Sequence, residues 1–169
     1  MKRILAFTLA VLMMAAVLVA CGGSNDKKSD DASAKSVDLN KVLGDINSQY
    51  DISESTVDGL KKLETNAELD RYYMIAESDI KQFAAERSSS STDFTEIVLV
   101  EANDSAAVDK IVTQLNSRLD AQRSTAKSYT PEAVAVLESC SVKTNGNFIY
   151  LVISDKADGI VKLIEDALK

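Results

Sequence analysis

The sequence predicts an α+β domain. An antiparallel or mixed sheet of about four strands packs against a long helix and a C-terminal helix, with further helices on the N-terminal side, and the long and C-terminal helices cover mainly one face. Three stretches predict it. Thr95 to Glu101 (TEIVLVE) carries Ile97, Val98, Leu99 and Val100 in one unbroken run, the pattern of a strand buried on both faces. A stretch opening at Asn103 or Asp104 places Val108, Ile111, Val112, Leu115 and Leu119 on one helical stripe. Asn145-Gly146 separates two strand-like runs, which is the strongest short-range signal for a hairpin.

Along the chain, order begins near Val37, where Asp38 is placed to cap a helix whose apolar positions Leu39, Val42, Leu43 and Ile46 keep helical spacing. A weaker helical pattern comes next, with Ser55 or Thr56 as cap and Val57, Leu60 and Leu63 on one side; Gly44 and Gly59 weaken both helices. Leu69 to Met74 and Ile80 to Arg87 fit helix and strand templates equally, because so short a run does not fix a period. Ser88 to Thr92 is a loop by composition.

The long helix runs to about Ala126, roughly 33 Å at 1.5 Å per residue. Asp104 and Asp109 lie early in it and Arg118, Arg123 and Lys127 late, each sign matching the helix dipole. Thr130, Pro131 and Glu132 then restart the chain as a cap, a first helical position and a first-turn acid, giving a short helix to about Leu137. With a two-residue loop at Asn145-Gly146, a strand from Ser139 to Thr144 sets Thr144 opposite Asn147, Val142 opposite Ile149 and Cys140 opposite Leu151. Cys140 is therefore expected in the core. Asp155 is placed to cap a last helix with Ile160, Val161, Ile164 and Leu168 on its buried stripe.

Ahead of this domain, Lys2 and Arg3 precede an almost wholly apolar stretch from Ile4 to Val19, closed by Leu18-Val19-Ala20-Cys21. That reads as a cleaved signal rather than a spanning helix, since the run falls short of the roughly 20 residues a span requires. It resembles the bacterial lipoprotein signal. The resemblance implies cleavage between Ala20 and Cys21, and a mature N-terminal Cys21 carrying an S-diacylglyceryl group and an N-palmitoyl chain. Several acyl chains anchor stably where a single one binds only marginally, at about 0.8 kcal/mol per buried CH₂. Residues 21–36 (CGGSNDKKSDDASAKS) are small, polar and charged, the composition of a flexible linker. The expected organisation is thus signal peptide 1–20, lipidated cysteine and linker 21–36, and one domain 37–169.

Charge and composition narrow the chemistry. The chain holds 19 Lys and Arg against 26 Asp and Glu, a net charge of −7, and loss of the first twenty residues removes two cations and no anion, leaving −9. Nucleic-acid phosphates repel such a surface, so no nucleic-acid partner is expected, and contact with the membrane falls to the lipid anchor. There is no His, which excludes a Ser-His triad, an imidazole base and imidazole metal ligands. Of two cysteines, lipidation consumes Cys21 and leaves Cys140 without a partner; with no base to activate it, Cys140 reads as a packing thiol. Pairs such as Asp30-Asp31 or Glu64 with Glu68 read as solvated surface. The segments around Asp58-Gly59 and Asp158-Gly159 lack the frame of a calcium loop. Tyr72-Tyr73 and Ser88 to Ser91 remain as contact surfaces, with the tyrosines expected to pack on the sheet. No residue is assigned as catalytic, cofactor-binding or metal-binding, and no cofactor is expected.

Taken together, the lipobox, the linker, the strand TEIVLVEAND, the helix ending before Tyr-Thr-Pro-Glu and the hairpin SVKTNGNFIYLVISD resemble an uncharacterised family of lipoprotein domains from Gram-positive bacteria, domain of unknown function 4358. The resemblance covers Glu68 to Lys169 and implies that Ile80 to Arg87 is a strand paired with Thr95 to Glu101. It implies no activity and no site residue. The expectation for function is a lipid-anchored protein on the outer face of the cell membrane, a non-catalytic accessory module that binds an envelope protein or component. The alternatives are an envelope-polymer hydrolase or transferase working through Asp and Glu, and a small solute-binding lipoprotein, the last disfavoured by the size of a single domain.

Overall fold

A computed structural model describes residues 37–52 and 59–169. The chain divides into two units, Met1–Ala34 and Lys35–Lys169, and every described residue belongs to the second. The expected signal, the linker, and Ala20 and Cys21 lie outside the described residues, as do Ser55, Thr56 and Val57.

The first helix, α1 (Leu39–Tyr50), starts as its sequence requires: the Asp38 carboxylate accepts from the backbone N–H groups of Asn40 and Lys41. It ends at Asp51, whose left-handed backbone (φ 47°) lets its N–H bond the Asn47 carbonyl. Leu60 to Lys62 is an edge strand, β1, and not the continuation of a second helix. Antiparallel pairing along the next strand supplies backbone partners that three residues of mixed pattern cannot find in an isolated helical turn. The ambiguous Leu69 to Met74 lies in and just after a helix, α2 (Asn66–Tyr73), fixed by a capping box in which Thr65 and Glu68 each bond the other's backbone.

Ile80–Ser88 forms β2 and Glu96–Ala102 forms β3; they pair antiparallel with Glu86 opposite Ile97 and Arg87 opposite Glu96, the pairing that the family resemblance implies. The long helix α3 (Ser105–Tyr129) is capped by Asp104 and runs one turn beyond Ala126. Thr130 caps no helix with its side chain: a 3-10 turn over Pro131–Ala133 closes on the Thr130 carbonyl, and α4 (Val134–Ser139) continues from it.

The hairpin turns one residue later than expected, and its first strand is shorter. Its strands are β4 (Lys143–Asn145) and β5 (Phe148–Ile153), with Asn145 opposite Phe148 and Thr144 opposite Ile149. The turn residues are Gly146 and Asn147. Only Gly146 has positive φ (58°), the II′ pattern, in place of the I′ turn that needs positive φ at two positions. The strand does not reach back to Cys140 because Cys140 closes α4. Side-chain faces survive the shift, which moves the register by two residues. The last helix, α5 (Ala157–Ala167), is preceded by Lys156, whose N–H bonds the Ser154 hydroxyl; Asp155 accepts from that hydroxyl and caps nothing.

The sheet has five strands in the order β1-β2-β3-β5-β4, all antiparallel. β3 lies at its centre, and its side chains alternate between two cores. Val98, Val100 and Ala102, with Ile149, Leu151 and Ile153 of β5, meet Ala107, Ile111, Leu115 and Leu119 of α3. Ile97 and Leu99, with Tyr150 and Val152, meet Leu39, Val42, Leu43 and Ile46 of α1 and Ile160 and Ile164 of α5. The long and C-terminal helices therefore cover opposite faces, where one mainly covered face was expected. α1 is the reason: its apolar stripe shares the second face with α5, and each stripe buries only with the other beside it.

Candidate functional site

At the end of the sheet where β3 begins and β5 ends, three segments border an open cavity of about 310 Å³. Thr92 to Thr95 form one wall, Thr130, Glu132 and Ala133 a second, and Ile153 to Asp155 a third, over an apolar floor to which Phe94, Val136 and Leu137 contribute. Each wall is set by local chemistry. Asp93 Oδ1 accepts from the backbone N–H of Thr95 (2.9 Å) and from its hydroxyl (2.7 Å), the side-chain-closed turn that aspartate favours just ahead of a strand. Pro131, lacking an N–H, opens the 3-10 turn at no hydrogen-bonding cost. Ser154 donates to Asp155 (3.2 Å) while accepting from the Lys156 N–H (3.1 Å).

Two polar atoms in these walls are buried without a protein partner: Asp93 Oδ2 and Thr130 Oγ1, on a threonine only 5% exposed. Buried polar groups are paired in the great majority of cases, so each orphan needs a reason. Glu132 and Asp155 add two exposed carboxylates, and no Lys or Arg is among the lining residues. A second hollow of about 300 Å³ adjoins the first, sharing Val136, Ser154 and Asp155.

Beside the cavity, Glu96 at the start of β3 is 1% exposed and fully engaged. Arg118 of α3 holds it with Nε and Nη2, Gln122 Nε2 donates to it at 3.0 Å, and Arg87 Nε stands 3.8 Å away. Burial opposes the Arg118 charge, and the hydrogen bonds and charge of Glu96 outweigh it, so the guanidinium stays above its ordinary pKa. Tyr73 packs under Arg118, its phenol pushed well above the usual value by burial and then by the Glu96 charge. This cluster ties α3 and α2 to the sheet and fixes the strand just after the Asp93 turn.

Other residues singled out in the sequence have structural roles. Tyr73 is buried, and Tyr72, half-buried, lies beneath Arg87 at 4.6 Å. Glu68 works as a cap, and the N–H groups of Glu64 and Thr65 help hold its carboxyl below the usual range. Ser88 ends β2 and is buried. Cys140 is 5% exposed in the α3-side core, its Sγ against the Val136 carbonyl, and burial pushes its thiol pKa up. That is the setting of an unreactive thiol. Among the described residues no group of three or more Cys, Asp or Glu is placed to hold a metal ion, and no helix is long and apolar enough to cross a membrane.

The cavity itself was not legible in the sequence. Asp93-Phe94-Thr95 ahead of a strand is a readable turn signal, but nothing in the chain announces that it meets Thr130 and Ser154. No curated protein and no solved structure matches the chain. A family model does match, over residues 59–154, more than half of the chain and all of the cavity wall except Asp155. The chain belongs to the family described as Domain of unknown function (DUF4358).

Proposed function

We propose that the protein is a lipid-anchored, extracytoplasmic binding module of the cell envelope, non-catalytic, with the cavity at the end of the sheet as its contact site. The observation that carries the reading is the concave site itself, about 310 Å³ between three segments, with the Asp93, Glu132 and Asp155 carboxylates around an apolar floor. Catalysis finds less support: the thiol is buried against a carbonyl, and histidine is absent from the chain. Anchoring rests on Leu18-Val19-Ala20-Cys21 behind a basic start and an apolar run.

The test is capture from intact cells after crosslinking, comparing wild type with Cys21→Ala, together with mass analysis of the mature N-terminus. The expected result is a lipid-modified Cys21, membrane-bound wild type, and a defined partner lost with Cys21→Ala. An unmodified or internal Cys21 overturns the anchor.

The second reading is an envelope-polymer hydrolase or transferase, and it draws on Asp93, Glu132 and Asp155 lining one cavity. It requires turnover of envelope polymer by purified protein, abolished by substituting one of those carboxylates. A small solute-binding role uses the same cavity and predicts saturable binding of a free solute.

A further inference from the structure

The ligand chemistry can be read from the hydrogen bonds the cavity has already used. The Thr95 hydroxyl proton is committed to Asp93 Oδ1 and the Ser154 hydroxyl proton to Asp155 Oδ1. Those groups still offer lone pairs. Asp93 Oδ2 is a pure acceptor with no partner, the Thr130 hydroxyl accepts as readily as it donates, and Glu132 adds a carboxylate. With no Lys or Arg in the lining, the occupant must bring donors and, against three carboxylates, positive charge. The floor of Phe94, Val136 and Leu137 asks at the same time for an apolar body.

Size narrows it further. A volume of about 310 Å³ lies at the small end of ligand sites, which run from roughly 300 to 1,000 Å³. That volume suits a short chain. We propose that the cavity between the Asp93 turn, Thr130 and Ser154 binds a primary alkylammonium group, its charge held by the Asp93, Glu132 and Asp155 carboxylates and its methylenes lying on the Phe94-Leu137 floor. Such a group comes either as a free amine or as a lysine-type side chain of a peptide. The assignment rests on the binding-module reading above and deepens it.

The experiment is titration of the chain from Lys35 onward, the compact unit that contains both cores, monitored by amide chemical shifts. The probes are n-butylammonium, Nα-acetyl-lysine amide and n-butanol as the neutral match. The expected result is saturable shifts at Asp93 to Thr95 and at Thr130 with both ammonium probes, and n-butanol weaker by about tenfold or more, the range for losing a charge-assisted hydrogen bond. Asp93→Asn keeps the Oδ1 acceptor of the turn and removes the charge; it and Glu132→Gln weaken ammonium binding, while Asp166→Asn on α5 leaves it unchanged. Tighter binding of the lysine amide indicates a peptide source, and tighter binding of butylammonium a free amine. If n-butanol binds as well and Asp93→Asn has no effect, the ammonium assignment fails while a binding cavity stands. If no probe moves the cavity resonances, both the assignment and the cavity's role as contact site are overturned.

Discussion

Replacing Glu86 by Gln is expected to stabilise the protein at neutral pH and to leave it unchanged in acid. Glu86 of β2 is 5% exposed and faces α1, where Asn47 Nδ2 donates to its Oε2 at 2.9 Å. Glu86 Oε1 and Asn47 Oδ1 are both buried and both without a partner. Two acceptors cannot bond each other, but one proton on Glu86 gives Oε1 a donor to offer Asn47 Oδ1. Burial, only partly offset by the Asn47 hydrogen bond and then by Lys62, already raises the Glu86 pKa. A carboxyl whose folded pKa lies above its unfolded value contributes stability that is full below the unfolded pKa and is lost as pH rises through the folded one. A Gln at this position carries its own N–H donor at every pH. Its gain at pH 7.5 is the hydrogen bond that the carboxylate cannot make, about 1 kcal/mol, which in a unit of this size is roughly 3–6 °C in Tm. The lost attraction to Lys62, whose side chain is 46% exposed, subtracts a few tenths of a kcal/mol at most. Urea unfolding of wild type and Glu86→Gln at pH 7.5 and pH 4 reads the effect as a difference of differences. An equal gain at both pH values, or a loss at pH 7.5, refutes the argument.

Three further outcomes are expected. Gly159→Ala should gain about 1 kcal/mol from helix propensity, yet its new Cβ falls 2.6 Å from the Tyr50 hydroxyl oxygen; thermal unfolding should show the gain in a Tyr50→Ala background and about 1 kcal/mol less in wild type. Glu96→Ala strands the Arg118 and Arg87 charges beside Tyr73 and should cost about 3–5 kcal/mol by denaturant titration. Cys140 should react with a thiol reagent at the rate of global unfolding, because burial both covers it and raises its pKa; labelling as fast as that of a free thiol contradicts this.

Much of the fold was legible because its signals are local. The TEIVLVE run, the Asp104 cap and the apolar stripes of α1, α3 and α5 each specify their element within a few residues, and the structure has all of them. Thr65 and Glu68 announce α2 just as locally, as a capping box, a signal that the ambiguous Leu69 to Met74 run obscures. The elements that failed depend on distant partners. β1 exists because β2 offers an edge, and no period in three residues reveals that. Which face α5 covers depends on α1, more than a hundred residues earlier. The cavity is the extreme case, since its walls come from three segments that only the folded chain brings together.

The same dependence bears on the span that the family match delimits. Residues 59–154 contain all five strands but neither α1 nor α5. Without those helices the β-sheet face of Ala84, Ile97, Leu99, Tyr150 and Val152 has no cover. The lost burial is large: Leu39, Val42, Leu43 and Ile46 alone bury side chains worth roughly 6–12 kcal/mol, against a total stability for a domain of about 5–15 kcal/mol. The helices are also fixed by specific bonds. Gln82 of β2 accepts from the Leu39 N–H and donates to the Val37 carbonyl and to Glu101, and Lys156, just before α5, donates to the Tyr50 carbonyl at the end of α1. Residues 59–154 expressed alone are therefore expected to give collapsed amide dispersion and no cooperative unfolding, whereas 37–169 unfolds in one transition. Cooperative unfolding of the shorter span would mean that the second face is not required for stability, and that the two cores fold independently.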